Sequence, residues 1–425
     1  MREGLERIES KRLGNGYYRY RHPSGLTLLL APMEGFHSAF AVFGTAYGSI
    51  DTFIKRSESG DFEKLPEGIA HFLEHKLFES EECSAFERYA ATGADANAST
   101  GFDRTMYYFS CTENFKESLE ILLDFVTHPY FTEETVAKEQ GIIGQEIRMY
   151  DDSPDWKAFF GALCAMYHKN PVRINISGTQ ESISHITADL LYGCYRTFYN
   201  LHNMVLTVAG NFDVDEAIEV ADKVLEPAKP FYLEKGSCEE PEEIVTEKVE
   251  FHLPVSTPQF YIGFKGKTGT EAENYRGGVL DEIFLEALFD DYSPFYRKFY
   301  DEGVINATFG SEVFSGYDYS ALLLSGESRE PEKVFEEVKK TVADALESGL
   351  SAEAFAMAQR SVYGRYIRST ERVEGVAIAL LNGHFPDVSL YDLIDEVAEA
   401  TPEKVMERAR RTYSTKNAVL SIVKP

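Results

Sequence analysis

The residues best placed to do chemistry are His71, Glu74 and His75, which fall within five positions of the stretch PEGIAHFLEHKLFES, residues 66–80. On a helix, side chains four apart stand on one face a turn from each other, so both imidazoles reach a single ion. Glu74 then lies beside that ion rather than opposite it. Neutral imidazoles hold zinc, and a neighbouring carboxylate takes a proton from water as the water attacks a carbonyl. With 10 histidines in 425 residues, the pattern arises by chance about 0.02 times. The plainer alternative, two surface histidines with one paired to Glu74, is correspondingly disfavoured.

Catalytic zinc takes a third protein ligand and leaves its fourth position to water or substrate. Glu139 and Glu146, in TEETVAKEQGIIGQEIRMY (132–150), are the candidates. Seven residues are two helical turns, so the two carboxylates share a face. Two solvated glutamates on an amphipathic helix would look the same, and spacing alone leaves the choice open.

These side chains need two helices to carry them. Pro66 and Glu67 suit a helix first turn, and Ile69 to Phe78 contains no breaker. Thr132 with Glu133 and Glu134 opens the second helix. Gly141 and Gly144 weaken that helix locally, which makes sense where another backbone packs closely.

Around these helices the chain repeats itself. Residues 187–208, TADLLYGCYRTFYNLHNMVLTV, match residues 401–422, TPEKVMERARRTYSTKNAVLSI, at an offset of 214. Thr187/Thr401, Arg196/Arg410, Tyr199/Tyr413, Asn203/Asn417, Val205/Val419 and Leu206/Leu420 coincide. Each copy reads as a helix running into an apolar strand that closes its half. A second echo sets AKEQGIIGQEIR (137–148) on MAQRSVYGRYIR (357–368) at offset 220, and a third sets Asn97-Ala98 on Asn306-Ala307. The Pro-, Gly- and acid-rich stretch 226–248 reads as the boundary. The expected domains are therefore 1–228, bearing the metal motif, a linker at 229–248, and a homologous domain at 249–425. The element order suits an α+β design, two duplicated α/β-roll domains, each an antiparallel-rich sheet covered by helices.

Composition narrows the function. The formal charge of −28, from 42 basic and 70 acidic side chains, argues against nucleic acid, because phosphate binding needs a basic surface. An acidic cavity favours basic peptides by steering, although acidity also serves solubility alone. No stretch approaches the ~18 apolar residues of a membrane span, and the charged start lacks the apolar core of a secretory signal. The five cysteines are scattered without a C-x-x-C pair, as in a reduced cytoplasmic protein.

The H-x-x-E-H order is that of the inverted zincins, and together with EQGIIGQE (139–146) it resembles the pitrilysin/insulysin family of metallopeptidases. That resemblance implies one Zn2+ per chain, with Glu146 as the third ligand beside His71 and His75. It makes Glu139 a carboxylate behind the ligands and Glu74 the catalytic base. GADANASTGFDRTMYYFSC resembles the family's edge strand, so Asn97, Ala98 and Ser99 inherit the hydrogen bonding of an extended peptide substrate. The likeness spans nearly the whole chain, as half of a pitrilysin-type clamshell. AYGSIDTF, the insertion before the motif helix, and SPFYRKFYDEGVI most resemble the half-length bacterial, YmfH-like branch.

The second half departs from the pattern. It carries no H-x-x-E-H, and at offset 220 the counterparts of Glu139 and Glu146 are Gln359 and Tyr366. Where the family supplies an Arg and a Tyr to polarise the substrate carbonyl, this chain has Tyr300 and Asn306. The resemblance therefore implies a zinc metalloendopeptidase of short or unfolded peptides. Its partner would be a homologous subunit supplying the missing pair, in a heterodimer; the other expected assembly is a homodimer. The alternative is a non-hydrolytic peptide-binding or maturation-complex subunit of the same fold.

Overall fold

A computed structural model of the chain describes residues 2–81 and 83–425. Its first-half strands are β1 (Leu5–Glu9), β2 (Gly16–Arg21), β3 (Thr27–Pro32), β4 (Ala39–Thr45), β5 (Phe53–Lys55), β6 (Glu63–Lys64), β7 (Asp95–Thr100), β8 (Thr105–Cys111) and β9 (Met204–Gly210). Then follow β10 (Glu234–Lys235), β11 (Lys248–His252), β12 (Gln259–Lys265), β13 (Gly310–Ser315), β14 (Ser320–Glu327) and β15 (Ala418–Lys424). One sheet runs β1-β2-β3-β9-β4-β8-β7, a second runs β11-β15-β12-β14-β13, and β10-β5-β6 form a small third.

The second sheet matches the last five strands of the first in order and sense. Each begins with a parallel pair, β3 with β9 and β11 with β15. Antiparallel neighbours then continue to an edge strand, β7 or β13. The parallel contact explains the continuous apolar runs of β9 and β15, which are buried on both faces. Strand β8 sits next to the edge and alternates buried with half-buried side chains. The first sheet adds the β1–β2 hairpin outside this shared plan.

The strongest repeat in the sequence corresponds to one local design used twice. Thr187 and Thr401 each cap a helix, their hydroxyls accepting from the N–H of Leu190 and Lys404. Each helix ends at a tyrosine, Tyr199 or Tyr413, and a short 3-10 turn leads into the closing strand. The third echo fits less well. Asn97 lies on β7, whereas Asn306 lies in the turn before β13, where its side-chain Oδ1 accepts from the Thr308 N–H at 2.8 Å.

The compact units differ from contiguous halves at two segments. One unit comprises residues through Ile147, Asn175–Gly236 and Arg368–Leu390; the other comprises Arg148–Ile174, Ser237–Ile367 and Tyr391–Pro425. The helix Pro154–Met166 packs on β11, β12 and β15, and the helix Val373–His384 packs on β3, β4 and β9. Glycines at matching places admit them. A Cβ on Gly44 of β4 would meet Leu381 at 2.6 Å, and one on Gly263 of β12 would meet the Met166 sulfur at 2.7 Å. Composition suggested a single boundary near 226–248. It carried no sign of this exchange, because an apolar helix face reads the same whichever sheet it covers.

Candidate metal centre

The motif helix is Ile69–Leu77, starting two residues later than Pro66 and Glu67 suggest. Gly68 precedes it in a left-handed conformation, φ 87°. A Cβ there would sit 2.4 Å from the Ser177 carbonyl, so only glycine fits this entry. Ile69, Phe72, Leu73 and Leu77 bury the opposite face in the core of the first unit. That anchoring turns His71, Glu74 and His75 toward the helix Glu133–Asp151, which Thr132 opens by accepting from the Thr135 N–H at 3.2 Å.

Ligand atoms of His71, His75 and Glu146 all lie within 4.8 Å of one another. Nε2 of His71 is 3.6 Å from Glu146 Oε1, and Nε2 of His75 is 3.7 Å from Glu146 Oε2. These separations are too long for hydrogen bonds. They approach the about 3.4 Å expected between two atoms bound to one tetrahedral zinc. His75 Nδ1 is taken by Glu139 Oε1 at 2.9 Å, which fixes the ring and leaves Nε2 for the ion. Glu139 is 5% exposed, buried behind the ligands rather than solvated.

The electrostatics suit the same ion. Burial, followed by the neighbouring His75, pushes the His71 pKa down to about 3, so that ring is neutral and ligand-ready. Burial also pulls on the His75 imidazolium. The hydrogen bond to Glu139 and the charges of Glu74, Glu139 and Glu146 outweigh it and hold His75 above its usual value. The carboxylates that favour positive charge on His75 would equally favour a divalent ion. His71 Nδ1 is buried without a hydrogen-bond partner. Two imidazole nitrogens and one carboxylate are the protein donor set of a catalytic zinc site.

Glu74 stands half-buried next to these groups. Burial raises its pKa, opposed by the hydrogen bond from Thr100, whose Oγ1 donates to Glu74 Oε2 at 2.6 Å. Thr100 is a functional candidate that the sequence reading missed, although it directly follows Asn97, Ala98 and Ser99. These four residues belong to β7, which among the described residues pairs only with β8 and is the edge strand of its sheet. On that strand the Ala98 N–H donates to the Asn97 side-chain oxygen at 2.8 Å. The glycines did not serve the expected purpose. A Cβ on Gly141 or Gly144 meets nothing within 4 Å, so no other backbone packs against them.

The second unit corrects the counterparts of the glutamates. Buried positions of the helix Ala352–Ser369 are Phe355, Ala358 and Val362, which match Val136, Glu139 and Ile143 at an offset of 219, not 220. Gln140 and Gln359 confirm that register, each donating to the carbonyls at the end of another helix. The partners of Glu139 and Glu146 are thus Ala358 and Arg365, rather than Gln359 and Tyr366. The shared Gly-x-x-Ile-Arg letters had shifted the alignment by one residue, which rotates a helix by 100°. Facing Arg365 are Glu282 and Glu286 on the helix Glu271–Phe289, four apart as His71 and His75 are. Between them Ile283 and Phe284 are fully buried, as Phe72 and Leu73 are. Tyr300 is 48% exposed and stacks on Tyr296.

Fold and site together define a duplicated α+β chain with a metal-ready cluster in its first unit. The profile of the Insulinase (Peptidase family M16) family matches residues 60–180, and that of the Peptidase M16 inactive domain matches residues 185–362. The chain is 38% identical over 407 residues to a Bacillus subtilis protein named uncharacterized zinc protease YmfH, covering 94% of this chain and 95% of that one. A solved M16-like peptidase structure from Alicyclobacillus acidocaldarius superposes with a TM-score of 0.92 at 34% identity, covering 100% and 99% of the two chains. The chain belongs to peptidase family M16. Pitrilysin shares the fold, with a TM-score of 0.71 at 16% identity, and the whole of this chain covers 47% of it. No helix among the described residues is long and apolar enough to cross a membrane.

Proposed function

We propose that the chain is a zinc metalloendopeptidase, or the metal-bearing subunit of one, acting on short or unfolded peptides. The observation that carries this reading is the convergence of His71, His75 and Glu146 within 4.8 Å, with Glu74 on the same helix face. His71 Nε2, His75 Nε2 and a Glu146 oxygen would hold one zinc ion. When bound, zinc polarises a substrate carbonyl and makes water a stronger acid.

The chain's own residues supply the rest. Thr100 occupies Glu74 Oε2, which leaves Oε1 to take the proton of the attacking water and return it to the leaving amine. The raised pKa of Glu74 brings it nearer to neutrality, where a base that must also act as an acid works best. The edge strand β7 would align the peptide by strand addition, with Asn97, Ala98 and Ser99 making its main-chain hydrogen bonds. For that to happen, the Asn97 side chain must release the Ala98 N–H it now accepts from. Because Thr100 lies on the same strand, the bound peptide and the base stay in fixed register.

Tyr300 and Asn306, a phenol and an amide, stand where carbonyl-polarising Arg and Tyr are expected, and neither offers a guanidinium. On this reading a homologous but different chain, in a heterodimer, supplies that pair. The 47% coverage of pitrilysin supports an apparatus of two such lengths. The five free cysteines support a reducing compartment, the cytoplasm.

The decisive experiment is zinc quantification beside a peptide-library digest, with and without a homologous partner chain. Stoichiometric zinc with cleavage that chelation abolishes is expected. Peptide binding without cleavage under every pairing would establish the second reading, a non-hydrolytic peptide-binding subunit, which the Tyr300/Asn306 pair favours.

A further inference from the structure

Residues 177–186 touch both helices of the candidate metal centre. At the entry to the motif helix two glycines in left-handed conformations meet back to back, Gly68 at φ 87° and Gly178 at φ 72°. A Cβ on Gly68 would lie 2.4 Å from the Ser177 carbonyl oxygen, and one on Gly178 would lie 2.4 Å from that of Glu67. Ser182 Oγ donates to the same Glu67 carbonyl at 2.8 Å. On the other helix, Gln180 Nε2 donates at 3.2 Å to the carbonyl of Gly144, just ahead of Glu146. Gln140, next to Glu139, returns the contact by donating to the Ile183 and Ile186 carbonyls at 3.2 and 3.1 Å.

The second unit keeps only part of this arrangement. Gln359, the match of Gln140, donates to the Val397 and Ala400 carbonyls. The glycine contact is not repeated. At the offset of 211 that relates Glu282 and Glu286 to His71 and His75, Val279 stands for Gly68. The helix Glu271–Phe289 runs through that position unbroken.

We propose that residues 177–186 brace the metal site, with Gly178, Gln180 and Gln140 as positioning residues that set the spacing of Glu146 from the two histidines. The inference rests on the zinc reading of those ligands. One helix fixes His71 against His75 by its own geometry. Glu146 comes from a different helix, so its place relative to them depends on whatever joins the two. Apolar packing holds the helices together without direction, whereas hydrogen bonds to particular carbonyls set their register along one another. Ligands already held in place bind an ion without first having to be ordered.

The test measures zinc affinity of the full chain by competition with a chelator, beside thermal unfolding of the zinc-free protein. Gln180→Met and Gln140→Met keep the side-chain length and remove the donor, and each should weaken zinc binding by about threefold to tenfold. Gln359→Met is the control. It removes matching bonds from the metal-free unit, so it should lower the melting temperature as Gln140→Met does and leave zinc affinity at the wild-type value. Gly178→Ala, strained at φ 72°, should weaken zinc most. If it does not fold, Gln180→Met carries the test, because Gln180 is exposed. Zinc affinity unmoved by both glutamine variants, or lowered equally by Gln359→Met, overturns the brace and leaves the ligands standing. A wild-type chain that takes up no zinc overturns both.

Discussion

Where the first unit sets a carboxylate, Glu146, against two imidazoles, the second sets a guanidinium, Arg365, against two carboxylates. Both pairs sit four residues apart on one helix, and both face one side chain of another. The first arrangement is incomplete without a cation. The second carries its own cation as a covalent part of the chain. One helix-to-helix contact can thus be made either by a cluster suited to a metal or by an ion pair. An arginine stands where Glu146 stands, and glutamates stand where the two histidines stand, so the second unit closes this contact with an ion pair.

The sharpest test of this contrast is Glu74→Gln, which alters neither clamp. Zinc content should stay at the wild-type level while peptide turnover falls by about 10²- to 10⁴-fold. Cleavage at the original rate in a zinc-loaded variant would remove Glu74 from the chemistry. The comparison would then describe metal binding alone.

Glu146→Gln should cost the chain its zinc, because a neutral amide replaces the only charged ligand. Metal analysis after dialysis reads this directly. Undiminished zinc would shift the third ligand to another side chain and dissolve the correspondence between Glu146 and Arg365. Glu139→Gln should do less, weakening zinc affinity by about 10- to 100-fold, since it acts through the His75 ring it holds at 2.9 Å. A competition titration against a chelator separates the two variants.

The sequence made one half of this comparison legible and hid the other. H-x-x-E-H is readable because helical spacing converts directly into a shared face, and Glu139 and Glu146 follow from the same arithmetic. The choice of Glu146 over Glu139 needed the resemblance, as both carboxylates face the same way along the helix. Thr100 escaped because a hydroxyl on a strand has no spacing rule linking it to a helix 26 residues earlier. The Arg365 cluster escaped because identical letters pulled the alignment to offset 220. Burial of Phe355, Ala358 and Val362 restores offset 219, and burial is a tertiary property. The exchanged helices Pro154–Met166 and Val373–His384 were hidden for the same reason.

The smallest predicted effect concerns the second clamp. Arg365 is half exposed, its side chain 50% accessible, so water screens much of its attraction to Glu282 and Glu286. Arg365→Met keeps the aliphatic packing of the side chain and removes the charge. It should destabilise the chain by only about 1 kcal/mol in urea unfolding, with zinc content unchanged. Glu286, at 7% exposed, would then be a nearly buried charge without its cation, so the loss should shrink as pH falls and the carboxylates of this cluster take up protons. A loss that instead grows on acidification would mean that Arg365 stabilises the unit through contacts other than the carboxylates. The two units would then share a helix pair but not a clamp.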